Sequence, residues 1–224
     1  MLKRPQLILI DVDGTLVDSV PDLAYCIDTM LERLDRAPQG EAKVRCWVGN
    51  GVERLVCRAL TGSMTAEPDE ALFQRGYPLF LELYAENISR RSRLYPGVEE
   101  GLVQLKQAGF RLGCVTNKAE QFTLPLLQNL ALRDYFEIVM SGDSLPKKKP
   151  DPLPLLYVAD YVGVSASESL MVGDSMSDVK AARAAGFSVV CLSYGYNHGE
   201  DIGRAHPDAV IDSLTDLLPM LESA

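Results

Sequence analysis

Asp11 and Asp13 stand two residues apart at the end of the apolar run Leu7-Ile8-Leu9-Ile10 and are followed by Gly14 and Thr15. In extended backbone, residues i and i+2 point the same way, so two carboxylates leave this strand end together. Gly14 tolerates positive φ and lets backbone N–H groups approach an anion with no Cβ in the way. The same residues also suit an ordinary strand followed by an Asp-Gly turn. A second acidic pair lies in Gly173-Asp174-Ser175-Met176-Ser177-Asp178. A helix starting between Asp174 and Asp178 can turn both carboxylates toward one crevice. Alternatively Ser175 or Ser177 caps that helix and Asp178 complements its dipole, which leaves Asp174 without a local structural task. Converging carboxylates with no His or Cys cluster suit a hard divalent cation, Mg²⁺ above all.

Two further segments carry the opposite charge or a hydroxyl. Thr116-Asn117-Lys118 lies between a strand and a helix, where a hydroxyl and free N–H groups form either a phosphate cradle or a plain N-cap. In Lys147-Lys148-Lys149-Pro150-Asp151-Pro152, the prolines stiffen the chain around Asp151 and hold Lys149 at fixed geometry. The other two lysines read as solvated loop. Together these groups describe phosphoryl transfer, because a phosphate approaches several aspartates only if cations neutralise them. One aspartate can attack phosphorus, and a neighbouring carboxyl can give a proton to the leaving oxygen and later take one from water.

The elements that must position these groups alternate. Strand-like apolar runs occur at 7–10, 111–116, 137–140, 169–172, 187–192 and 208–211. Helical patterns fall near 97–108, 119–130, 152–161, 177–185 and 214–221. This order predicts an α/β fold: a doubly wound, Rossmann-like three-layer sandwich with a mostly parallel sheet. Its ligand crevice lies beyond the C-terminal strand ends, where the polar segments gather. From Val20 to Arg91 only helices are predicted, at 21–34, 41–48, 52–60 and 69–88, with Pro78 expected to kink or split the last. The expected domains are therefore a core of 1–19 and 92–224 and an all-helical cap of 20–91.

The 224 residues hold 22 Lys and Arg against 31 Asp and Glu, a net charge of −9 that argues against a nucleic-acid partner. No apolar run is long enough to span a bilayer, so no membrane partner is expected. The five scattered cysteines, with no C-x-x-C, indicate neither a zinc site nor a disulfide framework. The expectation is a cytoplasmic monomer or small homo-oligomer whose partner is a small-molecule phosphomonoester.

Asp11-Val12-Asp13-Gly14-Thr15, Thr116-Asn117, Lys149-Pro150-Asp151-Pro152 and Gly173-Asp174-Ser175-Met176-Ser177-Asp178 resemble, in order, the four motifs of the haloacid dehalogenase-like (HAD) phosphohydrolases. The resemblance extends over essentially the whole chain, and the helical stretch is similar to that family's inserted cap. It implies that Asp11 is the nucleophile and a Mg²⁺ ligand, and that Asp13 is the general acid/base whose backbone carbonyl meets the metal. Thr116 and the Asn117 backbone N–H would bind phosphoryl oxygens, and Lys149 would neutralise nucleophile and phosphate. Asp174 would bind Mg²⁺, and Asp178 would support the metal through water or hydrogen-bond the lysine. Ile10 departs from the aromatic residue frequent before the nucleophile.

Trp47–Leu55 and Tyr194–Glu200 resemble stretches of the family members that act on 2-phosphoglycolate, which makes that ester the expected substrate. Other sugar or amino-sugar phosphates, a phosphosugar mutase and a non-catalytic interaction protein are the alternatives. Gly49-Asn50-Gly51 either faces the leaving group or is an ordinary helix–helix turn. Lys43, Arg45 and Arg54 read as solvated charges, His198 and His206 as loop histidines, and Trp47, Phe73, Phe80 and Tyr84 as packing residues. Cys114 and Cys191 read as inert core thiols.

Overall fold

The computed structural model describes residues 3–222; residues 1–2 and 223–224, which belong to the expected core segments, lie outside the described residues. The strands are β1 (Leu7–Ile10), β2 (Val17–Asp18), β3 (Arg93–Leu94), β4 (Arg111–Val115), β5 (Ile138–Met140), β6 (Ser169–Gly173), β7 (Ser188–Leu192) and β8 (Ala209–Ile211). The helices are α1 (Val20–Arg33), α2 (Glu41–Trp47), α3 (Val52–Thr61), α4 (Glu70–Asn87), α5 (Val98–Gln107), α6 (Glu120–Asn129), α7 (Leu153–Val162), α8 (Met176–Ala185) and α9 (Leu217–Glu222).

All four side chains of β1 are buried, as an unalternating apolar run requires of a central parallel strand. Leu7 and Leu9 pack into one core with Leu155, Val158 and Val179 from α7 and α8. Ile8 and Ile10 join the other core, with Leu102 and Leu105 from α5 and Phe122 and Leu126 from α6. Helices therefore cover both faces of a six-stranded sheet of order β5-β4-β1-β6-β7-β8, every pair parallel. Ile10 is level with Cys114 on one side and Val172 on the other. That register brings Asp11, Thr116 and Asp174 out of three adjacent strands at one edge.

Helices α1–α4 lie between β2 and β3, and those two short strands pair antiparallel, Val17 with Leu94 and Asp18 with Arg93. Both crossings between the sheet and the helical segment thus run through one ribbon. Of the two outcomes expected at Pro78, the split does not occur: α4 continues unbroken from Glu70 to Asn87 across it. The carbonyl freed by the proline is that of Gln74, and both residues are exposed, so water can satisfy it. Buried Phe80, Leu83 and Tyr84 hold the following turns in place. No helix among the described residues is long and apolar enough to cross a membrane.

Candidate active site

Asp11 leaves β1 with its N–H donated to the Val172 carbonyl, which ties the turn to β6. Gly14 adopts φ +86°, and an added Cβ would lie 2.2 Å from Asp174 Oδ2. The glycine in the Asp-Gly turn is therefore required by the close approach of the second acidic segment.

Carboxylate oxygens of Asp11, Asp174 and Asp178 all lie within 4.8 Å of one another, and all three residues are buried. The Lys149 ammonium sits 3.1 Å from Asp11 Oδ1 and 2.7 Å from Asp178 Oδ1, and donates to the Val115 carbonyl at 2.6 Å. The Asn117 side-chain amide donates to the Lys149 carbonyl at 2.8 Å, so the end of β4 fixes the lysine's backbone. The Lys149–Pro150 peptide bond is cis. Both sequence readings of Asp178 hold at once: its carboxylate pairs with Lys149 and completes a capping box with Ser175 at the start of α8.

Among the described residues the Asp174 carboxylate has neutral partners only. Thr15 donates its hydroxyl to Oδ1 at 2.7 Å and Tyr196 its N–H to Oδ2 at 2.6 Å. Gly195 makes this approach possible, since a Cβ there would stand 2.1 Å from Asp174 Cβ. Gly195 and Tyr196 thus form the back wall behind Asp174.

Burial raises the Asp11 carboxyl from 3.8 to about 6, against the pull of Lys149 and with help from Asp178. Burial and then Asp178 and Asp11 push the Asp174 carboxyl well above its ordinary value. Burial alone would lower the Lys149 ammonium, but Asp11 and Asp178 reverse this and raise it. The three buried carboxylates lie together, two of them share one lysine, and all offer only oxygen donors. That donor set fits a hard divalent cation such as Mg²⁺.

Asp13 lies outside this trio. Its carboxylate turns to Lys118, whose Nζ donates to Oδ1 at 3.1 Å and Oδ2 at 3.0 Å. Thr116 is buried on the other side of Asp11, its N–H bound to Met140 and its Oγ1 accepting the Lys118 N–H at 3.3 Å. The sequence did not single out Lys118 as functional, and it read Tyr84 as packing. The structure has the Tyr84 hydroxyl accept a short hydrogen bond from Lys118 Nζ. The only local signals were a lysine directly after a polar strand end and a tyrosine within an apolar helix stripe.

These groups surround a cleft of about 90 Å³. Its other wall is the α2–α3 connection, where Gly49, Asn50 and Gly51 all take positive φ. The 49–51 loop therefore faces the site, as one of its two sequence readings required. Lys148 reaches across to the Asn50 carbonyl at 3.1 Å, so it is not merely solvated, and His198 Nδ1 lies 3.0 Å from the Cys46 carbonyl. Arg45 pairs with Asp18 and Glu41, Arg54 with Glu67, and Lys43 with Gln39, and none of the three lines the cleft.

Residues 8–192 match the family model for haloacid dehalogenase-like hydrolases. A phosphoglycolate phosphatase of Nitrosococcus oceani is 63% identical over 224 residues, covering 100% of both chains. A phosphoglycolate phosphatase of Nitrosospira multiformis is 48% identical over 217 residues, 97% of this chain and 96% of the relative. A crystal structure from Haemophilus somnus 129pt, described as a predicted phosphoglycolate phosphatase, superposes with TM-score 0.92 at 37% identity, covering 98% of this chain and 99% of that one.

Proposed function

The chain belongs to the haloacid dehalogenase-like hydrolases, and we propose that it hydrolyses a small phosphomonoester, 2-phosphoglycolate foremost, to glycolate and inorganic phosphate. In this reading residues 1–19 and 92–224 form the catalytic core and residues 20–91 the cap that closes over it. The observation that carries the reading is one lysine, Lys149, bridging Asp11 and Asp178 beside Asp174.

Asp11 and Asp174, with the Asp13 backbone carbonyl, would hold Mg²⁺, and Asp178 would support the site through Lys149. The bound cation supplies positive charge that lets a phosphate dianion approach the nucleophile. An Asp11 oxygen attacks phosphorus, the ester P–O bond breaks, and the leaving oxygen takes a proton from Asp13. Thr116 and the Asn117 N–H receive the phosphoryl oxygens, and Lys149 balances the charge gathered on Asp11. Water then attacks the aspartyl phosphate and gives a proton to Asp13, and the Asp11–phosphorus bond breaks to release phosphate. The small cleft and the 49–51 loop over the leaving group favour a compact substrate.

A panel of small phosphomonoesters, including 2-phosphoglycolate and sugar phosphates, tests this by release of free phosphate with Mg²⁺ or with chelator. The expected result is Mg²⁺-dependent release, fastest from 2-phosphoglycolate and abolished in Asp11→Asn with the fold intact. Turnover of Asp11→Asn near the wild-type rate would end the mechanism. Faster release from another ester would replace the substrate, and isomerisation of a sugar phosphate without phosphate release would make the protein a mutase.

A further inference from the structure

Lys118 is 5% exposed, and its ammonium has two kinds of partner. One is the Asp13 carboxylate, gripped at both oxygens, and the other is the hydroxyl of Tyr84, which is fully buried on α4. Asp13 and Lys118 come from the core and Tyr84 from the helical segment, so three distant stretches of chain meet at one nitrogen.

Each member is held by its own surroundings. The Lys118 carbonyl accepts from Gly142 N–H at 2.8 Å and from the Thr123 hydroxyl at 3.0 Å, and its N–H donates to Thr116 Oγ1. Gly142 packs so closely that a Cβ would lie 2.2 Å from the Asn117 carbonyl oxygen. The Tyr84 ring is stacked on Phe80 at 5.5 Å and tilted against Phe122 at 4.9 Å, with the Lys118 ammonium 4.8 Å from its centroid. A phenylalanine would fill the same space. The hydroxyl is explained by the lysine, and the lysine by Asp13.

We propose that Lys118 and Tyr84 are positioning residues that hold the Asp13 carboxylate in place for proton transfer, with Tyr84 making that hold depend on the helical segment. The inference rests on Asp13 being the general acid/base of the reading above. Without the grip at both oxygens, the Asp13 side chain is free to turn away from the leaving oxygen. The grip matters most where the leaving group needs a proton. An alkyl ester such as 2-phosphoglycolate needs one, whereas p-nitrophenolate departs without it.

The test compares kcat/KM for 2-phosphoglycolate and p-nitrophenyl phosphate in the wild type, Lys118→Met and Tyr84→Phe. Lys118→Met is expected to lose about 100-fold on the alkyl ester, the low end of what general acid–base catalysis contributes, and less than about threefold on the aryl ester. Tyr84→Phe should lose about fivefold on the alkyl ester alone, since it removes one of the lysine's anchors. Retained aryl activity also shows that the variants fold. Equal losses on both esters, no loss on either, or a gain on the alkyl ester would overturn the positioning role. The control is wild-type turnover of both esters and its abolition in Asp11→Asn. Failure of the control brings down the function itself, whereas an unchanged alkyl-to-aryl ratio overturns only the role of Lys118 and Tyr84.

Discussion

Asp11→Asn should inactivate the enzyme and at the same time stabilise its metal-free fold. Burial lifts the Asp11 carboxyl from 3.8 to about 6, so at neutral pH the folded chain carries an anion it disfavours. A raised carboxyl means that between those values the folded state binds more protons than the unfolded one. Stability therefore falls as pH rises through that window and stays reduced above it. At about 1.4 kcal/mol per tenfold in proton affinity, the gap amounts to about 3 kcal/mol. Asparagine fills the same space without the charge. Lys149 keeps Asp178 at 2.7 Å and the Val115 carbonyl, so the substitution does not strand it. Urea unfolding in chelator at pH 7.5 should show Asp11→Asn more stable by up to about 3 kcal/mol, with the advantage shrinking toward zero near pH 4. Saturating Mg²⁺ should stabilise the wild type more than the variant and narrow the difference. A variant less stable than wild type at pH 7.5, or an advantage independent of pH, would refute the burial argument.

Two further substitutions probe how the site is supported. Asp22, fully buried at the start of α1, accepts the N–H groups of Arg91 and Ser92 and the Ser92 hydroxyl, at 2.7–3.0 Å. Asp22→Ala strands these donors where the chain re-enters the core and should cost about 3–5 kcal/mol in urea unfolding; a loss below about 1 kcal/mol would show that water replaces the carboxylate. Gly195→Ala places a Cβ 2.1 Å from Asp174 Cβ and must displace one of the two segments. It should lower the Mg²⁺-dependent rate about 100-fold, as misplacement of a reacting group by about 1 Å does, and a rate within about twofold of wild type would refute the close approach.

The parts legible in the sequence were those written locally. β1 announces itself because four consecutive apolar residues can be buried on both faces, and Asp11 follows directly. Asp174, Thr116 and Lys149 were legible because each sits at a strand end or in a stiffened loop. The two-residue strands β2 and β3 were not, because two residues carry no periodicity. Asp22 shows the harder limit. Its place in the first turn of α1 suits a helix dipole, yet its carboxylate clamps residues about seventy positions away. Lys118 likewise reaches Asp13 across 105 residues, and only the sheet register brings the ends of β1 and β4 side by side. The split expected at Pro78 misled for a related reason: its local penalty is met by solvent while contacts made elsewhere in the fold keep α4 unbroken across it.

The charges around the cleft are not shared evenly, and the unevenness locates the demand for the metal. Asp11 and Asp178 divide Lys149, and Asp13 has Lys118. Asp174 has no cationic side chain among the described residues and meets only a hydroxyl and a backbone N–H. Neutral donors orient a buried carboxylate and offset only part of the cost of its charge, to which its neighbours Asp178 and Asp11 add. A third lysine in place of the Thr15 hydroxyl would quiet the cluster and fill the place of a divalent ion. The arrangement instead leaves one carboxylate unneutralised, fixed in direction by Thr15 and Tyr196, and beside Asp11. A site built this way would spend folding stability on affinity for a dication, and on the proposed reading Asp174 is the residue at which that exchange is made.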